Sequence, residues 1–120
     1  MKESELVQQL RLAASKLGAR IFRNNCGKLI DRTGQWVAYG VASPGGSDLI
    51  GWHTVTVTPE MVGRKVAVFV AWEAKVGSRQ LTKEQCLFLA AVSAAGGIAA
   101  EVRSVESAEL TLNEFASRHP

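Results

Sequence analysis

The sequence predicts an α/β fold, a mixed sheet flanked by helices, in a single domain that spans residues 1–120. The run Val66–Trp72 holds seven consecutive apolar residues, mostly β-branched or aromatic, which is typical of a buried central strand. Apolar residues at helical spacing precede this run, in residues 3–17, and follow it, in residues 82–95. A further strand at residues 98–103 and a terminal helix complete an alternation that is typical of mixed sheets with helices on their faces.

The first predicted element is the helix over residues 3–17. Leu6, Val7 and Leu10 form one apolar stripe on it, at the spacing that brings side chains to a common face. Glu3 precedes these residues by three, four and seven positions, so we expect it on the buried face. The alternative is that Glu3 only stabilises the positive N-terminus of the helix.

Short strands are predicted next. Arg20–Arg23 forms one strand, and Lys28–Asp31 with Gln35–Tyr39 forms a small hairpin around a turn that contains glycine. A glycine-rich loop then brings Asp48 to the start of another strand, Leu49–Val57. Taken alone, Asp48 could equally be an ordinary turn residue.

Two residues of opposite charge, Glu73 and Lys75, end the central strand and point to the same face because strand side chains alternate. Taken alone, they could be an exposed salt bridge. If Leu49–Val57 pairs with the central strand as a hairpin, Asp48 lies beside Glu73. Adjacent carboxylates repel unless a cation lies between them or one is protonated, and all-oxygen ligands suit Mg²⁺ or Mn²⁺. Two carboxylates and a lysine around a divalent ion indicate phosphodiester hydrolysis.

The helix that follows the central strand offers one more candidate, Gln85. Thr82 and Gln85 have the spacing of a capping box, which would give the glutamine a purely structural role. Gln85 also shares the inward face with Phe88, Leu89 and Val92, so its amide could reach the end of the central strand. Both interpretations remain open at this point.

Composition and charge narrow the classes of function. The 120 residues are 47% apolar with mixed charges, which is typical of a globular domain and not of a disordered chain. The net charge of +3 is compatible with a polyanionic partner without requiring one. No apolar run approaches the roughly 18 residues of a membrane span, and the N-terminus lacks a signal-peptide core. We therefore expect a cytoplasmic protein that does not bind membranes and, without a P-loop or dinucleotide motif, uses no nucleotide cofactor.

An ordered set of residues resembles the PD-(D/E)XK nuclease superfamily, and more narrowly the VRR-NUC family in its stand-alone phage form. In that family a helix Glu leads, a glycine-rich loop precedes an Asp, and E-x-K is followed by a Gln on the next helix. The matching residues, in chain order, are Glu3, Gly46-Ser47-Asp48, Glu73-Ala74-Lys75 and Gln85. With the segments around them, the resemblance covers nearly the whole chain.

The resemblance implies a restriction-endonuclease-like core and a metal-dependent DNA endonuclease. Asp48 and Glu73 would hold Mg²⁺ or Mn²⁺, helped by the backbone carbonyl of Ala74. Glu3 would complete or orient the metal shell, and Lys75 would be the catalytic lysine.

The resemblance further implies that Gln85 positions the site and that Asn24 or Asn25 is a polar residue near it. Ser47 precedes Asp48 where many members have proline, which is a departure in the loop. Stand-alone members of the family are expected to be homodimers that act on branched DNA such as Holliday junctions. A phage or prophage origin, with action in the host cytoplasm, is expected on the same ground.

A non-catalytic nucleic-acid-binding module with the same fold is the alternative. It would bind phosphates through basic residues, and its affinity would fall steeply with salt. The basic residues that could serve are Arg11, Arg20, Arg23, Lys28, Arg32, Arg64, Lys65, Arg79 and Lys83. The candidates for nucleic-acid contact in the nuclease are Arg23, Asn24, Lys28, Arg79 and Lys83. A third interpretation is a regulator or anti-host interaction protein that works through exposed aromatics such as Trp36 and Tyr39.

Overall fold

The computed structural model describes residues 1–118 and has a mixed α+β architecture. Within these residues there are three α-helices and three two-stranded sheets. The chain forms two compact units, an N-terminal unit, Met1–Thr56, and a C-terminal unit that begins at Val57. None of the described helices has the length and apolar character needed to cross a membrane.

The N-terminal unit holds one helix and two antiparallel strand pairs. Its elements are α1 (Glu3–Lys16), β1 (Ala19–Arg23), β2 (Gly27–Ile30), β3 (Trp36–Tyr39) and β4 (Leu49–His53). Helix α1 packs against β1, and β1 pairs with β4 while β2 pairs with β3. The predicted helix, first strand and hairpin are therefore confirmed to within a few residues.

The apolar stripe of α1 is buried only at Val7, while Leu6 and Leu10 remain 44% and 45% exposed. Glu3 is also exposed, so the expectation that it lies on a buried face is wrong. As the first residue of α1, Glu3 instead lies where a carboxylate favours the positive end of the helix dipole. Glu5 takes part in the cap, where its carboxylate accepts the Lys2 N–H at 3.4 Å.

The turn of the β2–β3 hairpin is held by Asp31. Its carboxylate accepts the Thr33 hydroxyl at 2.6 Å and the N–H groups of Thr33 and Gln35 at 2.8 and 3.1 Å. The Thr33 hydroxyl is the main reason that the pKa of Asp31 lies below its ordinary value. The strands beyond the turn are open to solvent, and the side chain of Trp36 is 70% exposed.

Strand β4 ends at His53, four residues before the predicted end, because β1 can pair no further than Ala19. The N–H of Thr54 donates to Gly18 O at 3.1 Å and closes the ladder. Within the N-terminal unit β4 takes β1 as its ladder partner, and the predicted hairpin of this strand with the central strand, which belongs to the other unit, stays a prediction. The placement of Asp48 beside Glu73, which follows from that hairpin, likewise stays a prediction.

The C-terminal unit starts with a 3-10 turn and continues as an alternation of strands and helices. Its elements are the turn Pro59–Met61, β5 (Val70–Ala74), α2 (Lys83–Ala94), β6 (Ile98–Val102) and α3 (Val105–Arg118). Strands β5 and β6 are parallel, α2 contacts both of them, and α3 contacts β6. This is a strand–helix–strand unit with a second helix, the arrangement predicted for this half of the chain.

Strand β5 is shorter and more exposed than predicted. It begins at Val70, and its side chains alternate, with Val70 and Trp72 about 40% exposed and Ala71 and Glu73 less so. The indole N–H of Trp72 donates to the hydroxyl of Thr111 on α3 at 2.9 Å. The apolar run therefore forms a strand whose side chains alternate between more and less exposed positions. Within this unit β6 is its hydrogen-bonded neighbour.

The helix boundaries of the C-terminal unit follow the predicted local signals. Thr82 caps α2, and Gly96, with φ of 99°, follows its end. The hydroxyl of Ser104 accepts the N–H of Ser107 at 3.1 Å at the start of α3. Ser104 is therefore the residue that caps the terminal helix.

Candidate functional site

Three of the predicted site residues meet beside the carboxyl end of β5. The ammonium of Lys75 lies 3.7 Å from Glu73 Oε1, and the amide Nε2 of Gln85 donates to the same oxygen at 2.9 Å. The Lys75 side chain is only 11% exposed, whereas that of Glu73 is 35% exposed. A lysine this well covered has lost most of its hydration, and the neighbouring carboxylate offsets that cost.

Gln85 has both of the roles that the sequence left open. Its side-chain amide oxygen accepts the backbone N–H of Thr82 at 2.9 Å. The backbone N–H of Gln85 donates to the Thr82 hydroxyl at 3.1 Å, which completes the capping box. The amide nitrogen remains free for the bond to Glu73. The start of α2 therefore fixes the orientation of the Glu73 carboxylate.

A Gln85→Glu substitution separates these two roles. Glutamate preserves the capping box, so we expect α2 to begin normally. It replaces an N–H donor with a carboxylate directed at Glu73, so we expect the free energy of unfolding to fall by roughly 1–3 kcal/mol. Thermal and chemical unfolding compared with Gln85→Ala, which removes both roles, would measure this. A Gln85→Glu protein as stable as the parent would contradict the bond to Glu73.

The donor atoms around Glu73 fit a hard divalent cation. Both protein contacts use Oε1, so within the C-terminal unit Oε2 is the carboxylate oxygen available to a cation. The N–H of Lys75 donates to Val102 O at 3.1 Å, so the carbonyl of Ala74 points to the edge of β5 opposite β6. A carboxylate oxygen and a backbone carbonyl outside the ladder are the ligand types that Mg²⁺ and Mn²⁺ take.

Asp48 lies in the N-terminal unit, at the exposed end of a loop held by Asn24. The Asn24 side chain is 8% exposed, and its Nδ2 donates to Val41 O and Ser47 O, each at 3.0 Å. Its Oδ1 accepts the Val41 N–H at 2.9 Å, and its backbone N–H donates to Asp48 O at 2.8 Å. A Cβ at Gly46 would collide with the Val41 carbonyl, so this position requires glycine.

The two asparagines that the resemblance left open are therefore distinct. Asn24 joins both ends of the loop to β1, whereas Asn25 is exposed and only accepts the Arg23 Nε–H at 3.3 Å. The buried bonds of Asn24 favour a role in positioning Asp48 over a direct contact with nucleic acid.

We expect Asn24→Ala to lower the free energy of unfolding by about 1–3 kcal/mol, because it leaves partly buried backbone groups of Val41 and Ser47 without their Asn24 partners. Asn25→Ala is the matched control and should change it by less than about 0.5 kcal/mol. Urea unfolding of both variants would check this. Equal effects at the two positions would contradict the role assigned to Asn24.

The predicted metal ligands are divided between the two units. Glu3 and Asp48 belong to the N-terminal unit, and Glu73 and Ala74 belong to the C-terminal unit. Considering the described residues of each unit by itself, neither brings three His, Cys, Asp or Glu side chains together as a metal-holding group. The convergence of Glu3 and Asp48 on Glu73 stays a prediction from the sequence.

The remaining candidates for nucleic-acid contact are exposed basic residues. Arg23 ends β1, Lys28 lies on β2, Arg79 lies in the loop after β5, and Lys83 is the first residue of α2. Each is accessible to a phosphate, and their contact with nucleic acid stays a prediction.

Sequence reasoning assigned no role to Arg103, which follows β6. Its guanidinium bonds to Glu101 and to two carbonyls of the loop after β5. A signal for this was available, because Glu101-x-Arg103 repeats the acid-x-base spacing of Glu73-x-Lys75 on the adjacent strand. Glu73 pairs with Glu101 in the parallel register, so the two acid-base pairs lie side by side.

No protein-family model matches the chain, and neither a curated protein nor a solved structure matches it.

Proposed function

We propose that this protein is a metal-dependent, structure-selective DNA endonuclease with a PD-(D/E)XK core, and that it hydrolyses phosphodiester bonds in branched DNA such as Holliday junctions. The observation that carries the proposal is the meeting of Glu73, Lys75 and Gln85 beside the end of β5. A surface salt bridge needs neither a covered lysine nor an amide donor from a helix cap to orient its acid. A carboxylate that must face a cation in one fixed direction needs both.

In this proposal Glu73 and the carbonyl of Ala74 hold Mg²⁺ or Mn²⁺, with Asp48 and Glu3 as the further ligands that the sequence predicts. The cation supplies Lewis-acid polarisation of the phosphate and a more acidic water. Gln85 keeps the Glu73 carboxylate in its orientation through a 2.9 Å bond. The protein's own contribution is thus a fixed acid beside a backbone carbonyl.

Lys75 supplies a positive charge on the same face as Glu73. Its low exposure strengthens its interaction with a developing negative charge, because little water screens it. At 3.7 Å from Glu73 it is near enough to approach a phosphate held at that carboxylate. We assign it stabilisation of the charge that develops on the phosphate, or transfer of a proton to the departing oxygen.

A homodimer would present two such sites to two strands, which suits a symmetric four-way junction. The test is cleavage of a labelled four-way junction beside linear duplex, flap and single strand, with Mg²⁺, Mn²⁺ or EDTA. Paired nicks in the junction that require metal are the expected result. Cutting that favours flap or single strand would preserve the nuclease assignment and remove the junction role.

A nucleic-acid-binding module without catalysis is the second candidate. The observation behind it is the exposure of Arg23, Lys28, Arg79 and Lys83, because four accessible cations can bind phosphates without any hydrolysis. Binding to the same DNA panel, unchanged by EDTA and with no cleavage in either metal, would establish this function in place of the nuclease.

A further inference from the structure

The guanidinium of Arg103 joins the end of β6 to the loop that follows β5. Its Nε donates to Glu101 Oε1 at 2.7 Å, and Nη2 forms an ion pair with the same oxygen at 2.5 Å. Nη1 donates to Gly77 O at 2.8 Å, and Nη2 donates to Arg79 O at 2.5 Å. All three nitrogens of the guanidinium thus have partners within the unit, and Glu101 balances its charge.

The loop that Arg103 holds, residues 76–80, has little else to fix it. Its residues are exposed, and Gly77 has a φ of 61°. The other bonds within the loop are long, from the Arg79 N–H to Val76 O at 3.4 Å and from the Gln80 amide to Ser78 O at 3.4 Å. With no buried apolar side chain to anchor it, the loop depends on the two carbonyl contacts of Arg103.

The loop of residues 76–80 lies next to the proposed catalytic cluster. It begins directly after Lys75 and leads to Thr82 at the start of α2, so it borders the cluster of Glu73, Lys75 and Gln85. The bond from Arg103 to the Arg79 carbonyl fixes the backbone from which the exposed Arg79 side chain extends. A cation held beside a phosphodiester site suits a neighbouring phosphate of the same strand.

We propose that Arg103 is a positioning residue that holds the loop of residues 76–80 so that Arg79 contacts a phosphate of the bound DNA strand next to the cleaved one. The inference rests on the proposed function. It adds Arg79 as the residue that holds the DNA strand and Arg103 as the residue that positions Arg79. Only arginine suits the organising role, because its planar fork reaches two carbonyls and a carboxylate together, whereas the lysine ammonium is a single point donor. Arg103 thereby acts on DNA only through the loop.

The first test measures the loop without any DNA or metal. We expect Arg103→Lys and Arg103→Ala to accelerate hydrogen exchange of the Arg79 amide, whose N–H donates to Val76 O within the loop, while exchange in α1 of the other unit stays as in the parent. Arg79→Ala should leave exchange in the loop unchanged, because the Arg103 bond is to the Arg79 backbone. Unchanged loop exchange in both Arg103 variants would overturn the proposal.

The second test measures DNA binding in EDTA, which removes cleavage from the readout. We expect Arg79→Ala to weaken binding roughly tenfold and to reduce the salt slope by about one. Arg103→Ala should weaken it similarly in the parent and cause no further loss when Arg79 is already alanine. Lys16→Ala, an exposed lysine near the end of α1, is the control for loss of one charge and should bind as the parent does.

The outcomes distinguish this proposal from the proposed function. If Arg103→Ala causes a further tenfold loss in the Arg79→Ala protein, Arg103 contacts DNA itself and the positioning role is wrong, although the nuclease assignment is unaffected. If the parent cleaves DNA and Arg79→Ala binds it normally, the phosphate contact is likewise wrong while the nuclease stands. If the parent neither binds nor cleaves DNA, both proposals are overturned. The inference is established if Arg79→Ala, Arg103→Ala and the double variant all lose the same DNA affinity and the Arg103 variants also show faster loop exchange.

Discussion

Glu73→Gln is expected to reduce the rate of metal-dependent cleavage by roughly a thousandfold or more, because it removes the carboxylate that faces the cation. The substitution is nearly isosteric, and the new amide oxygen can still accept the Gln85 N–H that now donates to Glu73 at 2.9 Å. We therefore expect the free energy of unfolding to change by only about 1 kcal/mol, from loss of the partly exposed pair with Lys75. Single-turnover cleavage and chemical unfolding of the same preparation would measure both.

Glu109→Gln is the matched control, since it makes the same change at an exposed carboxylate on α3. It should cleave as the parent does. Mn²⁺ binding measured by calorimetry gives a readout apart from activity, and Glu73→Gln should bind the ion much more weakly. A Glu73→Gln protein that binds Mn²⁺ normally yet fails to cleave would show that Glu73 acts on the substrate and not as a metal ligand.

The local features of the fold could be predicted because their causes lie within a few residues of one another. The capping box of Thr82 and Gln85 spans three positions, and the Asp31 turn reaches only to Gln35. The common face of Glu73 and Lys75 follows from strand alternation alone. These features decide where elements begin and end, and the cluster at the end of β5 depends on them.

Strand pairing could not be predicted in the same way, because it depends on which distant segments compete for an edge. Within their own units β4 pairs with β1 and β5 pairs in parallel with β6, and the sequence pattern specified neither partner. The role of Asn24 was hidden for the same reason, since its amide bonds residues 17 and 23 positions away. A periodic pattern states which face of a strand is apolar and leaves its partner unspecified.

Lys75→Met is expected to slow cleavage by roughly 10²–10⁴-fold while raising the Mn²⁺ affinity above that of the parent. Methionine keeps the apolar stem that covers the site and removes only the charge. The ammonium, 3.7 Å from Glu73 Oε1, repels any cation bound at that carboxylate, so its removal favours the ion. Lys16→Met, at an exposed position of α1, controls for the lost charge and should cleave normally.

The two substitutions at the acid-base pair therefore affect cleavage in the same direction and metal affinity in opposite directions. If Glu73 and Lys75 form only a structural salt bridge, the pattern differs. Either substitution then lowers the free energy of unfolding and leaves any cleavage unchanged. Lys75→Arg then separates the two roles assigned to the lysine, because arginine keeps the charge but does not release a proton near neutral pH. Partial cleavage by Lys75→Arg would assign Lys75 to charge stabilisation, whereas a rate as low as that of Lys75→Met would assign it to proton transfer.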